Sequence, residues 1–170
     1  MALVTDTNIL SFLAAAEALA ELPKLFQGET FYLPPAVEQE LRPGLVYGKK
    51  HIERVFQAVP TNSFQVLELT EMERVWVATL PATLHAGERE GIILCQVRQY
   101  LFLSNDRRAI RYCQANGIQA ISLEIWLRLL WTRQIISASQ VRGLIELMAK
   151  VENLTLSERQ LMIIFAPRSS

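Results

Sequence analysis

Two aspartates follow apolar runs that are too short to be helices. Ala2-Leu3-Val4-Thr5 ends at Asp6, and Tyr100-Leu101-Phe102-Leu103-Ser104-Asn105 ends at Asp106. In an open parallel sheet, ligands gather beyond the carboxyl ends of the strands, so both carboxylates are expected at one edge of the sheet. Two glutamates can join them. Glu40 falls in line with Val37 and Leu41 at helical spacing, which turns it toward the apolar side, whereas Glu38 stands four residues before Arg42 and reads as a surface ion pair. Glu88 shares a helical face with Gly91, Ile92 and Cys95. Glu90 lines up with Ile93, Leu94 and Val97 in a stretch that is apolar nearly all round, so spacing does not choose between the two. Carboxylates that converge repel one another unless a hard, oxygen-loving cation neutralises them, and Mg²⁺ or Mn²⁺ is the natural candidate. Such clusters serve phosphodiester cleavage, in which paired ions about 4 Å apart activate the attacking water and stabilise the leaving oxygen.

The elements that must hold these acids are legible in the sequence. Ala2 to Thr5 reads as a buried strand feeding a helix from Ile9 to about Leu25, closed by Gly28. A strand over Thr30 to Leu33 precedes a helix opened by Pro34-Pro35 and running to Leu41. Pro43, Gly44 and Gly48 then predict a loop over Arg42 to Lys50 before a helix from His51 to about Ala58. Phe64 to Leu69 alternates like a strand, and Thr70 caps a helix to about Thr79. Gly87 to Arg98 is helical, Tyr100 to Leu103 is a strand, Arg107 to Ala115 is a helix and Ile118 to Ser122 is the last strand. Alternating strands and helices predict an α/β fold with a central parallel sheet flanked by helices. Residues 1–122 form that unit, and residues 123–170 are a helical C-terminal extension packed on the same domain.

Composition sets the outer bounds. The chain has 170 residues, 51% apolar and 20% charged, which fits one folded domain able to bury roughly 70% of its unfolded surface. Seventeen basic and seventeen acidic residues cancel, so nucleic-acid affinity must come from a local patch. Cys95 and Cys113 lack metal-ligand spacing and suit free thiols in a reducing compartment. No run approaches the length of a membrane span and no leader is recognisable, so a cytoplasmic protein is expected. The helices after Ser122 carry several apolar stripes, among them Trp126, Leu127, Leu130 and Trp131, then Leu144, Leu147, Met148 and Val151. That is more than one domain needs, which predicts a homodimer.

Each candidate has a structural alternative. Asp6, Thr7 and Asp106 stand where helix N-caps are expected, and Glu88 suits the positive end of a helix dipole. Arg107, Arg108 and Arg111, and the stretch Lys49-Lys50-His51 with Arg54, are either phosphate contacts or solvated faces. His51 and His85 have no Ser or Cys partner in a recognisable arrangement, and Trp76, Trp126 and Trp131 read as core or interface anchors. No Gly-rich phosphate loop follows the first strand, which weighs against nucleotide binding.

Thr5-Asp6-Thr7-Asn8, Pro35-Ala36-Val37-Glu38-Gln39-Glu40-Leu41, Gly87-Glu88-Arg89-Glu90-Gly91-Ile92 and Leu103-Ser104-Asn105-Asp106 together resemble, in that order, the acidic motifs of the PIN family. They span Met1 to about Ser122, and the nearest flavour is the PIN-like group with Gly-Glu-x-Glu at the third motif and short C-terminal helices. The resemblance implies a three-layer PIN-like fold, metal-dependent endoribonuclease activity on single-stranded RNA, and a frequent role as the toxin of a toxin-antitoxin pair. Carried over by position, Asp6, Glu40, Glu88 and Asp106 match the catalytic metal-ligand acids, Asn8 and Ser104 match the polar residues that orient them, and Glu90 is a supporting acid. Arg107, Arg108 and Arg111 are the expected RNA contacts. Glu88 stands where many members have Asp, which lengthens that ligand arm by one methylene. RNA, a second copy of the chain and an antitoxin protein are the implied partners, with no membrane. The alternative is a non-catalytic PIN-like binding or assembly module that acts through its helical C-terminus.

Overall fold

A computed structural model describes residues 2–59 and 64–167. Among them, strands β1 (Leu3–Thr5), β2 (Phe31–Leu33), β3 (Phe64–Val66), β4 (Leu101–Ser104) and β5 (Ala120–Ser122) form one parallel sheet in the order β3-β2-β1-β4-β5. The strands are short and rich in leucine, β-branched and aromatic residues, and alternate residues serve opposite faces. Leu3, Leu101 and Leu103 enter one apolar cluster, and Val4 and Phe102 enter the other. Helices cover both faces, giving the three-layer α/β architecture expected from the alternation. The order reverses at β1: the chain winds outward to β2 and β3, then returns to place β4 on β1's other side. This makes the carboxyl end of β1 and β4 the topological switch point, where open sheets leave a crevice.

The helices are α1 (Thr7–Ala15), α2 (Glu21–Leu25), α3 (Pro35–Val46), α4 (Lys50–Ala58), α5 (Glu71–Val77), α6 (Ala86–Arg98), α7 (Arg107–Ala115), α8 (Leu123–Thr132), α9 (Ala138–Glu152) and α10 (Glu158–Phe165). Two of them differ from the sequence-based expectation. The single helix expected from Ile9 to Leu25 is two: Glu17 turns left-handed at φ 58°, and Pro23, which would clash with an i−4 carbonyl inside a long helix, instead sits in the first turn of α2. The loop expected from Arg42 is instead helix, because α3 runs through Pro43 to Val46 before a short turn at Gly48. Gly44 explains why the chain stays close there. A Cβ on it would lie 2.9 Å from Ile52 Cγ1, so α3 and α4 pack tightly at that point.

The larger cluster runs from Leu3 on the sheet to Trp126, Leu127 and Leu130 of α8, Val141 and Met148 of α9, and Ile164 of α10. Trp131 Nε1 donates to the Ile164 carbonyl at 2.7 Å and Arg128 Nη1 to the Ala166 carbonyl at 2.7 Å, which fastens the end of α10 onto α8. Cys95 and Cys113 are buried free thiols, and burial raises both, the Cys113 thiol to about 12. Among the described residues no helix is long and apolar enough to cross a membrane.

Candidate metal centre

Asp6 is the N-cap of α1. Its Oδ1 accepts the Ile9 amide at 2.8 Å, and it is only 2% exposed. Its other oxygen accepts the hydroxyl proton of Ser104, the last residue of β4. Ser104 Oγ in turn accepts the Asp106 amide at 3.0 Å. One fully buried serine thus joins the two aspartates across the switch point. Asp106 is the N-cap of α7 and accepts the amides of Arg108 at 2.6 Å and Ala109 at 3.1 Å.

Glu88, in the first turn of α6, is 4% exposed, and one of its oxygens accepts the His85 amide at 2.9 Å. It therefore caps its own helix and faces the aspartates at once. Glu40 departs from the expectation of an inward carboxylate, because it lies on the exposed rim. The α3 face that carries it meets the start of α6 rather than the apolar core. Its Oε1 accepts the Gly87 amide at 3.0 Å, and its Oε2 accepts the Thr7 hydroxyl. Gly87 permits that approach, since a Cβ there would fall 2.7 Å from Val37 Cγ2 and 3.2 Å from Glu40 Oε2. Glu90 points away, and its Oε2 accepts the Ala36 amide at 2.8 Å at the start of α3.

Asp6, Thr7, Asn8, Glu40, His85 and Glu88 line one cleft of about 340 Å³. Burial pushes the Asp6 carboxyl up to about 6, with the Ser104 and Ile9 hydrogen bonds pulling back and the Glu88 charge adding to the rise. Burial also raises Glu88, and the charge of Asp106 adds to it. Burial acts upward on Asp106 too, but hydrogen bonds from Arg108 and Ala109 bring it below the ordinary carboxylate value. The acids are close enough to feel one another, yet among the described residues no three His, Cys, Asp or Glu side chains stand together as a ready-made ion site. The donor set nevertheless suits a hard divalent cation: three carboxylates with Thr7 and Asn8 supply oxygens, His85 is the one nitrogen donor, and among the described residues no lysine or arginine lines the cleft.

The expected basic contacts are divided among other tasks. Arg108 Nη2 lies 3.3 Å from Asp106 Oδ2, while Arg107 and Arg111 line a separate cavity. Lys49 pairs with Glu152 at 3.3 Å and His51 also bonds to Glu152. Arg54 pairs with Glu17 at 2.8 Å and donates to the Ala14 carbonyl, so that stretch ties α4 to α9 and α1. Thr7 and His85 were not among the sequence candidates. Thr7 was legible only as a capping residue, and His85 becomes part of the cleft because it begins α6.

A family model described as a PIN domain matches residues 2–165. No curated protein sequence matches significantly. Among solved structures, one similar chain comes from the VapBC2 complex of Rickettsia felis bound to a DNA fragment from its promoter, at 11% identity and TM-score 0.57, covering 72% of this chain and 98% of that one. Another is a PilT N-terminus domain protein of Sulfolobus solfataricus P2, at 15% identity and TM-score 0.51, covering 79% and 94%. At these identities the likeness concerns the fold.

Proposed function

Because the chain belongs to the PIN-domain family, we propose that it is a metal-dependent endoribonuclease that hydrolyses phosphodiester bonds of single-stranded RNA, acting as a toxin held in check by an antitoxin protein. The pairing of Asp6 and Asp106 through Ser104 at the switch point, with Glu88 near enough to feel the charge of both aspartates, carries this reading. Asp6, Glu40 and Glu88, which line the cleft with the Asn8 amide, and Asp106, joined to Asp6 through Ser104, are the residues that would hold Mg²⁺ or Mn²⁺. A divalent ion there supplies activation of water and offsets charge on the phosphodiester. Ser104 orients Asp6, Thr7 holds Glu40, and Arg108 balances Asp106. Glu90 serves the scaffold, since its Oε2 accepts the Ala36 amide of α3.

One observation favours the non-catalytic module: the acids do not stand as a closed set of three, and Asp106 is already paired with Arg108. Titration with manganese followed by an assay on single-stranded RNA separates the readings. Cleavage that requires the ion and is lost in Asp6→Asn is expected; no cleavage with any divalent ion leaves the module.

A further inference from the structure

We propose that the cavity between α7, the start of α8 and α10 is a nucleotide subsite, holding one phosphate and the adjoining base of a single-stranded RNA beside the acidic cleft. For its ligand this rests on the ribonuclease reading, but it uses different residues. The cavity measures about 320 Å³, within the range of small-ligand sites. Asn105 and Arg107, which flank Asp106 in the chain, form its near wall, so it begins one residue from the acid that caps α7.

Three guanidinium groups reach it: Arg107 and Arg111, one turn apart on α7, and Arg159 from α10. The one acid in the lining is Glu124, which leaves a clear cationic excess of the kind that binds phosphate. Arg107 is already oriented, with its Nη2 donating to Gln160 Oε1 at 3.1 Å, and Gln160 is itself buried and held by Ser157. Among the described residues Arg111 and Arg159 form no ion pair. Ile110 and Ile163 supply apolar walls against which a base can lie flat, while Gln114 and Glu124 offer hydrogen-bonding groups to its edge. The wall from α10 is fixed rather than loose, because Trp131 and Arg128 of α8 hold the carbonyls of Ile163, Ile164 and Ala166. The C-terminal helix thereby acquires a task at the substrate edge. Arg108, engaged by Asp106, is not part of this lining.

The test measures binding of a fluorescein-labelled, mixed-sequence single-stranded RNA in EDTA, so that cleavage plays no part, across a salt series. Arg159→Ala is expected to weaken binding about 5- to 10-fold and to lower the salt slope by about 0.7, the value of one lost phosphate contact on a single strand. Arg159→Lys should keep the slope, and Arg133→Ala, at the far end of α8, should change nothing. With Mn²⁺ present, Arg159→Ala and Glu124→Gln are expected to shift the distribution of cut positions. Wild-type affinity, slope and cut pattern in Arg159→Ala would overturn the subsite. So would a 5′-AMP titration in which Arg159→Ala loses the free nucleotide but not the RNA. If no variant and no wild-type protein cleaves, yet Arg159→Ala still loses affinity, the subsite stands and the nuclease reading falls.

Discussion

Glu40 of α3 accepts the Gly87 amide at the start of α6, and Glu90 of α6 accepts the Ala36 amide at the start of α3, at 3.0 and 2.8 Å. The two helices cap each other. Pro34 has no polar group to offer α3, so Glu90 supplies that cap, and at α6 Glu88 accepts the His85 amide while Glu40 takes that of Gly87. Glu40 and Glu90 each also meet the positive end of the opposite helix dipole. The exchange fixes α3 against α6 and so sets where Glu40 stands relative to Glu88, which begins in the same turn as Gly87. Its cost is visible at Glu90, whose carboxyl is raised by burial first and by the Glu40 charge as well.

The two glutamates should therefore separate under mutation. Glu90→Ala is expected to cost about 1 kcal/mol of stability, the usual value of a lost cap, while Glu90→Gln keeps an acceptor oxygen and costs little. Glu40→Gln should likewise melt near the wild-type temperature, yet lose metal-dependent cleavage because the amide is a poor ligand for a hard ion. Thermal melts beside a manganese-driven RNA assay read both effects. Equal activity losses in Glu90→Gln and Glu40→Gln would erase the division between scaffold and site.

Asp6 gives a pH dependence with a definite sign. Its folded pKa is raised from 3.8 to about 6, so between those values the folded protein holds a proton that the unfolded chain has lost. The metal-free protein should then lose stability as pH climbs from about 4 to 6, with the full penalty of about 3 kcal/mol present above 6 and none below 4. Glu88, also raised, acts in the same direction. Asp6→Asn removes the Asp6 part while its amide oxygen can still cap Ile9, so the mutant should be as stable as the wild type or more so at pH 7 and flatter between pH 4 and 6. Cleavage by the wild type should rise through pH 6 as the ligands ionise. Chemical denaturation at four pH values decides the matter; a wild-type curve that gains stability over that interval contradicts the sign.

Glu73 and Arg98 work in the opposite sense. Arg98 Nε and Nη2 grip the two oxygens of Glu73 at 2.8 and 2.7 Å, which, helped by Thr70, holds that carboxyl down to about 2. A depressed pKa contributes stability that is present above the unfolded value near 4.5 and lost as pH falls toward 2. Arg98→Met leaves a nearly buried carboxylate without its partner between α5 and α6, and should cost about 2 kcal/mol at pH 7, discounted from the usual figure because Arg98 is partly solvated. The gap to wild type should narrow by pH 3. A gap that stays constant from pH 7 to 3 would mean the loss is one of packing.

Much of this site could be seen in the residues alone, for a local reason. Asp6 and Asp106 each end a strand, and the carboxyl ends of parallel strands are where an open sheet leaves its crevice, so two positions in the chain imply one place in space. Glu38 and Arg42 were equally readable, being one turn apart on one helix. What the chain hides depends on which helices meet. Helical spacing turned both Glu88 and Glu90 toward neighbours, but only the approach of α3 shows that Glu90 is spent on Ala36. Glu40 reads as inward because its face of α3 is apolar at Val37 and Leu41, yet that face ends against the amides of α6, at the rim. The helix boundary missed at Glu17 has a local cause in Pro23, whereas the helix through Pro43 goes with the close packing of α3 on α4 at Gly44 and Ile52.

Gly91 and Gly143 should respond to alanine in opposite directions. A Cβ on Gly91 would fall 2.7 Å from Phe102 Cε2, in the middle of the contact between α6 and the sheet, so Gly91→Ala must shift a fully buried ring and is expected to destabilise by about 1–3 kcal/mol. Nothing lies within 4 Å of a Cβ on Gly143 in α9, where alanine should stabilise by about 0.5–1 kcal/mol through the unfolded chain. Urea midpoints of the two variants give the answer directly, and a neutral Gly91→Ala would mean that the sheet and α6 are less closely packed.

The last expectation concerns assembly. Most of the C-terminal apolar surplus is used within the chain, since α8 buries Trp126, Leu127 and Leu130 and α9 buries Val141 and Met148. A residue of that surplus stays outside. Leu147 and Val151, one turn apart on α9, are each 42% exposed, and the α3–α4 turn shows Val46 and the 82% exposed Tyr47. Glu152, which follows Val151, pairs with Lys49, two residues after Tyr47, which brings the C-terminal end of α9 near the α3–α4 turn. An apolar stretch with a polar rim is most often closed by a second copy around a twofold axis. The protein is therefore expected to be a dimer at tens of micromolar, and Leu147→Glu with Val151→Glu to convert it to a monomer with little change in melting behaviour, because neither side chain is in the core. Sedimentation across a dilution series measures this. A wild type that sediments as a monomer at the top of the series removes the dimer and leaves the metal centre untouched, and a dimer that survives both charges lies on another face.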